Sequence, residues 1–307
     1  FDEAQLSDEH SVRGLYFDSI VRRALKYFPN SKFVFAHPFI ENPEAQLQKN
    51  DIEIINTTAT YSNYELKNVG QIFYTHDITS QKFYHFGSDP TTLGKRKLEA
   101  DFDPIESALK KGGSVLIYVP KSHIYSKQIY GQFQKYISMC QPIDDPIAIK
   151  MIDELKDYIG ASTTDKLFYN SDMLEKLRCG IVVHHGSMPL TARLILEHFT
   201  QQGFCKICFA TSTLEQGINM PFDVVYLDRF EESKTLSVKN LIGRAGRSTA
   251  KPIFDFGSVI LRPNAMSRFR KVYQKKNILS SKSRLDITDD KMDEKYEEYK
   301  EAIKTGE

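Results

Sequence analysis

Two arginines stand three apart among glycines in NLIGRAGRS, residues Asn240 to Ser248. A loop that only turned would not need two permanent charges there. Guanidinium groups present paired donors to phosphate oxygens, and in phosphoryl transfer they stabilise the charge spread over the γ-phosphate. Gly243 and Gly246 let the backbone approach closely, and are expected to start a helix whose amino end also favours anions. Near the chain's start, Phe1 is followed by Asp2 and Glu3. At a strand end, the carboxylate of Asp2 would hold Mg2+ through water, and Glu3 would orient or deprotonate an attacking water. Two adjacent acids also read as plain surface residues, so this pair carries little by itself.

Two further pairs invite a metal reading. Cys205 and Cys208 form a C-x-x-C in FCKICFATS, but no second Cys/His pair at metal spacing accompanies them, and the run around them is apolar. Two buried core thiols are the better reading. His184 and His185 are adjacent on an expected strand and would point to opposite faces, which suits no shared ion.

These residues depend on the elements that carry them. A helix is expected through SIVRRALKYF, with apolar Ile20, Val21, Ala24, Leu25 and Phe28, followed by a short buried strand from Lys32 to Ala36. Strands are expected between Asp51 and Phe86, then a helix from Asp103 to Lys111 with Pro104 in its first turn. Strands at Ser114–Val119, Gly180–His184, Lys206–Ala210 and Val224–Asp228, then FGSVILRP, alternate with helices near Lys121 and over Leu190–Gln202. Met139 to Leu177 reads as a helical insertion, and the tail after Asn264 as a solvated helix, basic (RFRKVYQKKN) and then acidic. Strand–helix alternation predicts an α/β fold, a parallel sheet with helices on both faces. In such sheets ligands gather at the carboxyl ends of the strands. DEAQ, AHPFIENP, PKSH, HHGSMP, TSTLEQGINMP and NLIGRAGR all follow expected strands, which is the arrangement of a cleft.

In order along the chain, these segments resemble the motifs of superfamily 2 helicases, nearest the superkiller-like branch and related to the DEAD/DEAH-box proteins. FDEAQ resembles motif II, VLIYVPKSH motif IV, VVHHGSMPLTARLILEHF the double-histidine segment after it, CFATSTLEQGINMP motif V and NLIGRAGRS motif VI. The resemblance implies two RecA-like domains with ATP and Mg2+ between them. It places Asp2 and Glu3 on the first, with Arg244 and Arg247 of the second as arginine fingers. It puts Gly217, Asn219, Asn240 and Gly243 toward the nucleotide. Pro120, Lys121, Ser122, His185, Gly186, Thr211, Ser212 and Thr213 would line a track for single-stranded RNA or DNA, held by phosphate contacts that position a strand without reading its sequence.

Three features depart from the pattern. Motif III reads His37-Pro38-Phe39 before Asn42-Pro43, without its hydroxyls, and motif VI begins with Asn240 where glutamine is usual. The P-loop lysine motif is expected upstream of Phe1, which looks like a strand end. This chain alone is therefore expected to hydrolyse no ATP, with the N-terminal RecA-like domain as its partner. Between motifs V and VI, Glu231 to Lys234 is expected to turn between two short strands, a weak wedge for splitting a duplex.

The domain plan expected is 1–48 as the end of the first RecA-like domain, 49–112 as a β-rich connection, 113–263 as the second RecA-like domain with insertion 139–177, and 264–307 as a charged tail. With 41 basic and 40 acidic side chains, net charge gives no hint of nucleic acid, so any such binding must come from local patches. No apolar run approaches a membrane span, and no signal peptide opens the chain, which fits the cytoplasm, with the nucleus also open. The function expected is an ATP-dependent helicase or translocase. The alternative is an ATP-gated nucleic-acid clamp that has lost hydrolysis, and the 139–177 insertion offers a docking surface for a protein under either reading.

Overall fold

Short apolar runs, buried from end to end, build the centre of a sheet. In the computed structural model, which describes residues 1–52, 59–62, 70–89, 98–161, 171–211, 220–246 and 256–287, the strands are β1 (Gln71–Asp77), β2 (Lys82–Phe86), β3 (Leu98–Glu99), β4 (Val115–Tyr118), β5 (Ile181–His184), β6 (Ile207–Ala210), β7 (Val224–Leu227) and β8 (Gly257–Leu261). Their order is β3-β2-β1-β8-β7-β4-β6-β5. The pairs from β1 through β8 to β5 are parallel, and β2 and β3 add an antiparallel edge. Continuous hydrophobic strands without polar alternation are what burial on both faces requires.

Register assigns alternate residues to two cores. Leu116, Val182, Cys208, Val225 and Val259 face one, while Ile117, Ile181, Phe209, Tyr226 and Ile260 face the other. Helix Pro146–Tyr158 buries Ala148, Met151, Ile152 and Leu155 in the first core, and Leu190–Gln201 buries Ala192, Ile195, Leu196 and Phe199. Both sets follow the i, i+3, i+4, i+7 stripe of a helix face. The second core receives Ile105 of helix Pro104–Lys110 and Ile129 of helix Gln128–Gln132. Asp103 caps Pro104–Lys110 by accepting from the backbone N–H of Ile105 and Glu106 at 2.9 and 3.1 Å.

The chain forms two compact units, Lys67–Lys275, which holds the sheet, and Phe1–Leu66 with Lys276–Glu307. The β-rich stretch before Asp103 thus contributes β1 to β3 to the same sheet. Helix Met266–Gln274, expected to be solvated, buries Phe269 and Val272, and Phe269 packs edge-on to Phe73 and Phe86. Its charges occupy only the outer face, so the basic composition masked an amphipathic helix. The acidic end of the tail, 288–307, lies outside the described residues, as do 53–58 and 63–69 of the expected strands and 162–170 of the insertion.

In the smaller unit the expected buried strand Lys32–Ala36 is absent. The segment is extended but largely exposed, and pairs only with the first residues of the chain: Ala36 N–H donates to Phe1 O, and Ala4 N–H to Ala36 O, both at 2.9 Å. A ladder that short makes no sheet. Helix Val12–Tyr27 forms, but it buries Leu15, Asp18 and Val21 and leaves Ile20 and Phe28 exposed. Its buried polar side is held from the chain's other end, Ser283 donating to Asp18 and Arg22 pairing with Asp286 at 2.6 Å.

Candidate nucleic-acid interface

The carboxyl ends of the parallel strands frame one cleft of about 1190 Å³ in the larger unit. Tyr118 to Lys121 enter it from β4, Gly186 and Ser187 from the loop after β5, and Thr211 from the end of β6. Asp228 to Glu231 follow β7, Arg262 to Ala265 follow β8, and Asp77 to Thr79 follow β1. Five permanent cations (Lys121, Arg229, Lys234, Arg262, Arg268) line it against three carboxylates (Asp77, Asp228, Glu231). The lining thus carries a modest excess of positive charge in a near-neutral chain. Lys121 Nζ donates to Ser187 Oγ, joining the segments after β4 and β5.

Asp228 organises the floor. Its buried carboxylate accepts from Arg262 Nε and Nη2 and from Gln132 Nε2 at 3.3 Å, and its second oxygen stands 3.5 Å from His123 Nδ1. Arg262 also lies over the Tyr226 ring at 5.7 Å. Tyr226 Oη is 3.2 Å from Nδ1 of His76, whose ring stacks on Phe83. Burial, and then the charge of Arg262, push the His76 pKa down to about 4, so the imidazole is neutral.

The glycine–arginine segment is pinned differently. Helix Thr235–Ile242 ends at Gly243, and a helix starting at these glycines, as expected, would run through 247–255, outside the described residues. An amino-end anion site there would rest on the same residues. A carboxyl end favours cations instead, and Arg244 follows it directly. Phe222 N–H donates to Arg244 O at 3.2 Å and Gly246 N–H to Phe222 O at 2.7 Å. Gly246 has φ 78°, and a Cβ on Gly257 would stand 2.3 Å from the carbonyl carbon of Ala245. Arg244 is only 5% exposed. It acts electrostatically on buried His184, whose Nε2 is 3.1 Å from Glu197 Oε1. Burial lowers the His184 pKa and the bond to Glu197 partly offsets it.

Residues 148–249 match the helicase conserved C-terminal domain. The chain is similar to the ATP-dependent DNA helicase Hel308 of Caldivirga maquilingensis, at 25% identity over 50% of the chain and 20% of that protein. Mouse superkiller complex protein 2 is 32% identical over 38% of the chain and 10% of that protein. Zebrafish (Danio rerio) activating signal cointegrator 1 complex subunit 3 is 21% identical over 91% of the chain and 18% of its own length. These matches support the resemblance of the chain to superkiller-like superfamily 2 helicases. It spans about a fifth or less of the length of these curated relatives.

Among the helicase motif residues, Pro120, Lys121, Gly186 and Thr211 meet at the cleft, and Ser122 and His185 sit beside their neighbours there. Asn240 and Gly243 fall at the end of helix Thr235–Ile242, and Arg244 lies outside the cleft lining. Ser212, Thr213, Gly217, Asn219 and Arg247 lie outside the described residues. In the smaller unit Asp2 is exposed, Glu3 adopts φ 54°, and Glu3 N–H donates to Asp2 Oδ1 at 3.0 Å while Gln5 Nε2 donates to the Glu3 carboxylate. No cluster of three or more metal-ligand side chains occurs among the described residues. Sequence reading missed Asp228, Arg262, His123 and Arg268. Asp228 and Arg262 each directly follow a strand, a signal as legible as that of Lys121.

Proposed function

We propose that this chain supplies the nucleic-acid-gripping part of an ATP-dependent helicase or translocase that runs along a single strand of RNA or DNA. The observation carrying this reading is the meeting of Lys121, Gly186 and Thr211 on a basic cleft at the carboxyl edge of the parallel sheet. A lysine and a threonine hydroxyl are phosphate-binding groups, and such contacts grip any sequence. Asp2 and Glu3 fit the roles of holding Mg2+ through water and orienting the attacking water, and Arg244 and Arg247 that of stabilising charge on the γ-phosphate. Mg2+ supplies neutralisation of phosphate charge when bound. Gly217, Asn219, Asn240 and Gly243 belong to the nucleotide side of this reading. Thr213, Ser212, Ser122, His185 and Pro120 belong to the nucleic-acid side.

Exposed Ile147, Ile149 and Tyr158 on helix Pro146–Tyr158 support a protein partner on the 139–177 insertion. No helix among the described residues is long and apolar enough to cross a membrane, and a cytoplasmic or nuclear place belongs to the same reading.

Fluorescence anisotropy with single-stranded oligonucleotides at several salt concentrations tests the cleft. Affinity should fall steeply with salt, and Lys121→Ala should weaken all sequences alike and lower the log–log slope by about 1. Affinity insensitive to both salt and Lys121→Ala would overturn the assignment.

A further inference from the structure

Tyr125 ends the short helix Lys121–Tyr125, and its side chain is left in water: the residue is 60% exposed. Of the nearby aliphatic residues, Ile124 packs against the second core and Ile129 is buried within it. An exposed tyrosine alone means little. This one stands beside the cleft's phosphate-binding groups. Lys121 Nζ lies 5.5 Å from the Tyr125 ring centroid and also donates to Ser187, and both Lys121 and Ser187 line the cleft. The His185 ring lies 5.6 Å from that of Tyr125, tilted by 53°. Ser187 N–H donates to His185 Nδ1 at 3.3 Å, which fixes that nitrogen as an acceptor. Burial, with Lys121 and His184 adding to it, lowers the His185 pKa, so this ring carries no charge at neutral pH.

We propose that Tyr125 is a base-stacking platform at the lip of the cleft, taking the base of a nucleotide whose phosphate is held by Lys121 and Ser187. The proposal rests on the cleft being a single-strand track. The physical case is one of matched parts at matched spacing. Lys121 supplies the charge for a phosphate, and the exposed ring 5.5 Å away supplies a π-face for a base of the same or the next nucleotide. Every base has such a face, so the contact adds affinity without reading sequence. Phosphate contacts alone would let the strand slide freely, whereas a stacked base gives the track a register of one nucleotide.

The sequence contains no tryptophan, so Tyr125→Trp introduces a single indole at the platform, and Tyr158→Trp places one on an exposed helix as control. Titration with oligothymidylate should quench the indole of Tyr125→Trp saturably, at the midpoint found by anisotropy, and leave that of Tyr158→Trp unchanged. Tyr125→Ala should weaken oligothymidylate about tenfold but leave an abasic oligonucleotide of equal length bound within about twofold, with the salt slope unaltered. Binding that depends on Lys121 but shows no quenching and no effect of Tyr125→Ala would overturn the platform and leave the cleft standing. An equal loss on abasic and normal strands would also overturn it. Absence of strand binding in the parent chain would overturn the cleft reading and this proposal together.

Discussion

Asp228 Oδ1 accepts both Nε and Nη2 of Arg262, at 2.9 and 2.6 Å, tying the residue after β7 to the residue after β8. Both side chains are largely buried, so each charge leans mainly on the other. Breaking such a pair from one side leaves an uncompensated charge, which typically costs 3–5 kcal/mol. Asp228→Ala should therefore lower unfolding free energy by about 3 kcal/mol in denaturant titration, and Asp228→Ala with Arg262→Met should recover part of that loss. A single-variant loss below about 0.5 kcal/mol would show the pair to be solvated.

His76 makes the same floor sensitive to acid. Its Nδ1 faces Tyr226, its Nε2 is buried with no partner among the described residues, and Arg262 and Lys135 add positive charge that outweighs Asp77 and Asp103. The folded pKa is about 4 against the ordinary 6.5. Between these values the unfolded chain binds the proton and the folded chain does not, so stability falls as pH drops from 6.5 toward 4. Thermal melts of the parent should show this acid loss, and His76→Gln should flatten it. Some slope should remain, because burial also lowers the pKa of His37 and His184. An unchanged slope in His76→Gln would mean that this histidine is already protonated in the fold.

Gly257 lets the first residue of β8 press against the glycine–arginine segment. A Cβ there would meet Ala245 O and Gly246 N at 2.5 Å each, and these backbone atoms cannot rotate aside. Gly257→Ala should destabilise by about 2 kcal/mol. Gly70→Ala is its control, since the nearest atom to a Cβ there is Phe256 Cβ at 3.9 Å. Equal unfolding midpoints for the two variants would count against the close packing.

These tests bear on what could be read from the residues alone. The parallel strands were legible because Val115–Tyr118 and Val224–Leu227 are apolar throughout, and that pattern belongs to strands covered on both faces. Thr235–Ile242 was not legible as a helix. Thr and Val favour strands locally and Ser is a poor helix interior residue, and the packing of Val238, Leu241 and Ile242 on the sheet overrides those preferences. The expected turn between two short strands accordingly gives way to a turn leading into this helix. Lys32–Ala36 failed in the opposite way: among the described residues its aromatic side chains pack on Phe1, and its backbone pairs with the chain's first residues without a strand ladder. The pairing of Asp228 with Arg262 lay beyond the sequence because it depends on β7 and β8 being neighbours.

The same turn bears on strand separation. Glu231 to Lys234 carries two acids and no aromatic ring, and Lys234 pairs with Glu231 at 3.3 Å within it. Acids repel a phosphate backbone and offer no surface for a splayed base. The intact protein should therefore move on single strands more readily than it unwinds long duplexes. A streptavidin-displacement assay on single strands, run beside a long-duplex unwinding assay, compares the two. Efficient long-duplex unwinding would overturn this expectation.

Arg247 and Arg244 should separate under mutation. A guanidinium that meets the γ-phosphate is needed most where charge develops in the transition state, so its loss appears in kcat. In the intact protein, Arg247→Ala should cut kcat by about two orders of magnitude or more with little change in ATP affinity. Arg244→Ala should cut kcat similarly, but Arg244 is buried at the end of helix Thr235–Ile242 within reach of His184. Removing it also empties interior space and withdraws a charge from the His184–Glu197 pair, so this variant should lose stability as well, by about 1–3 kcal/mol. Steady-state kinetics and thermal melts on both variants make the comparison. A normal kcat with only a raised KM in Arg247→Ala would remove it from the role of arginine finger, and a fully stable Arg244→Ala would remove the structural role given to its partner.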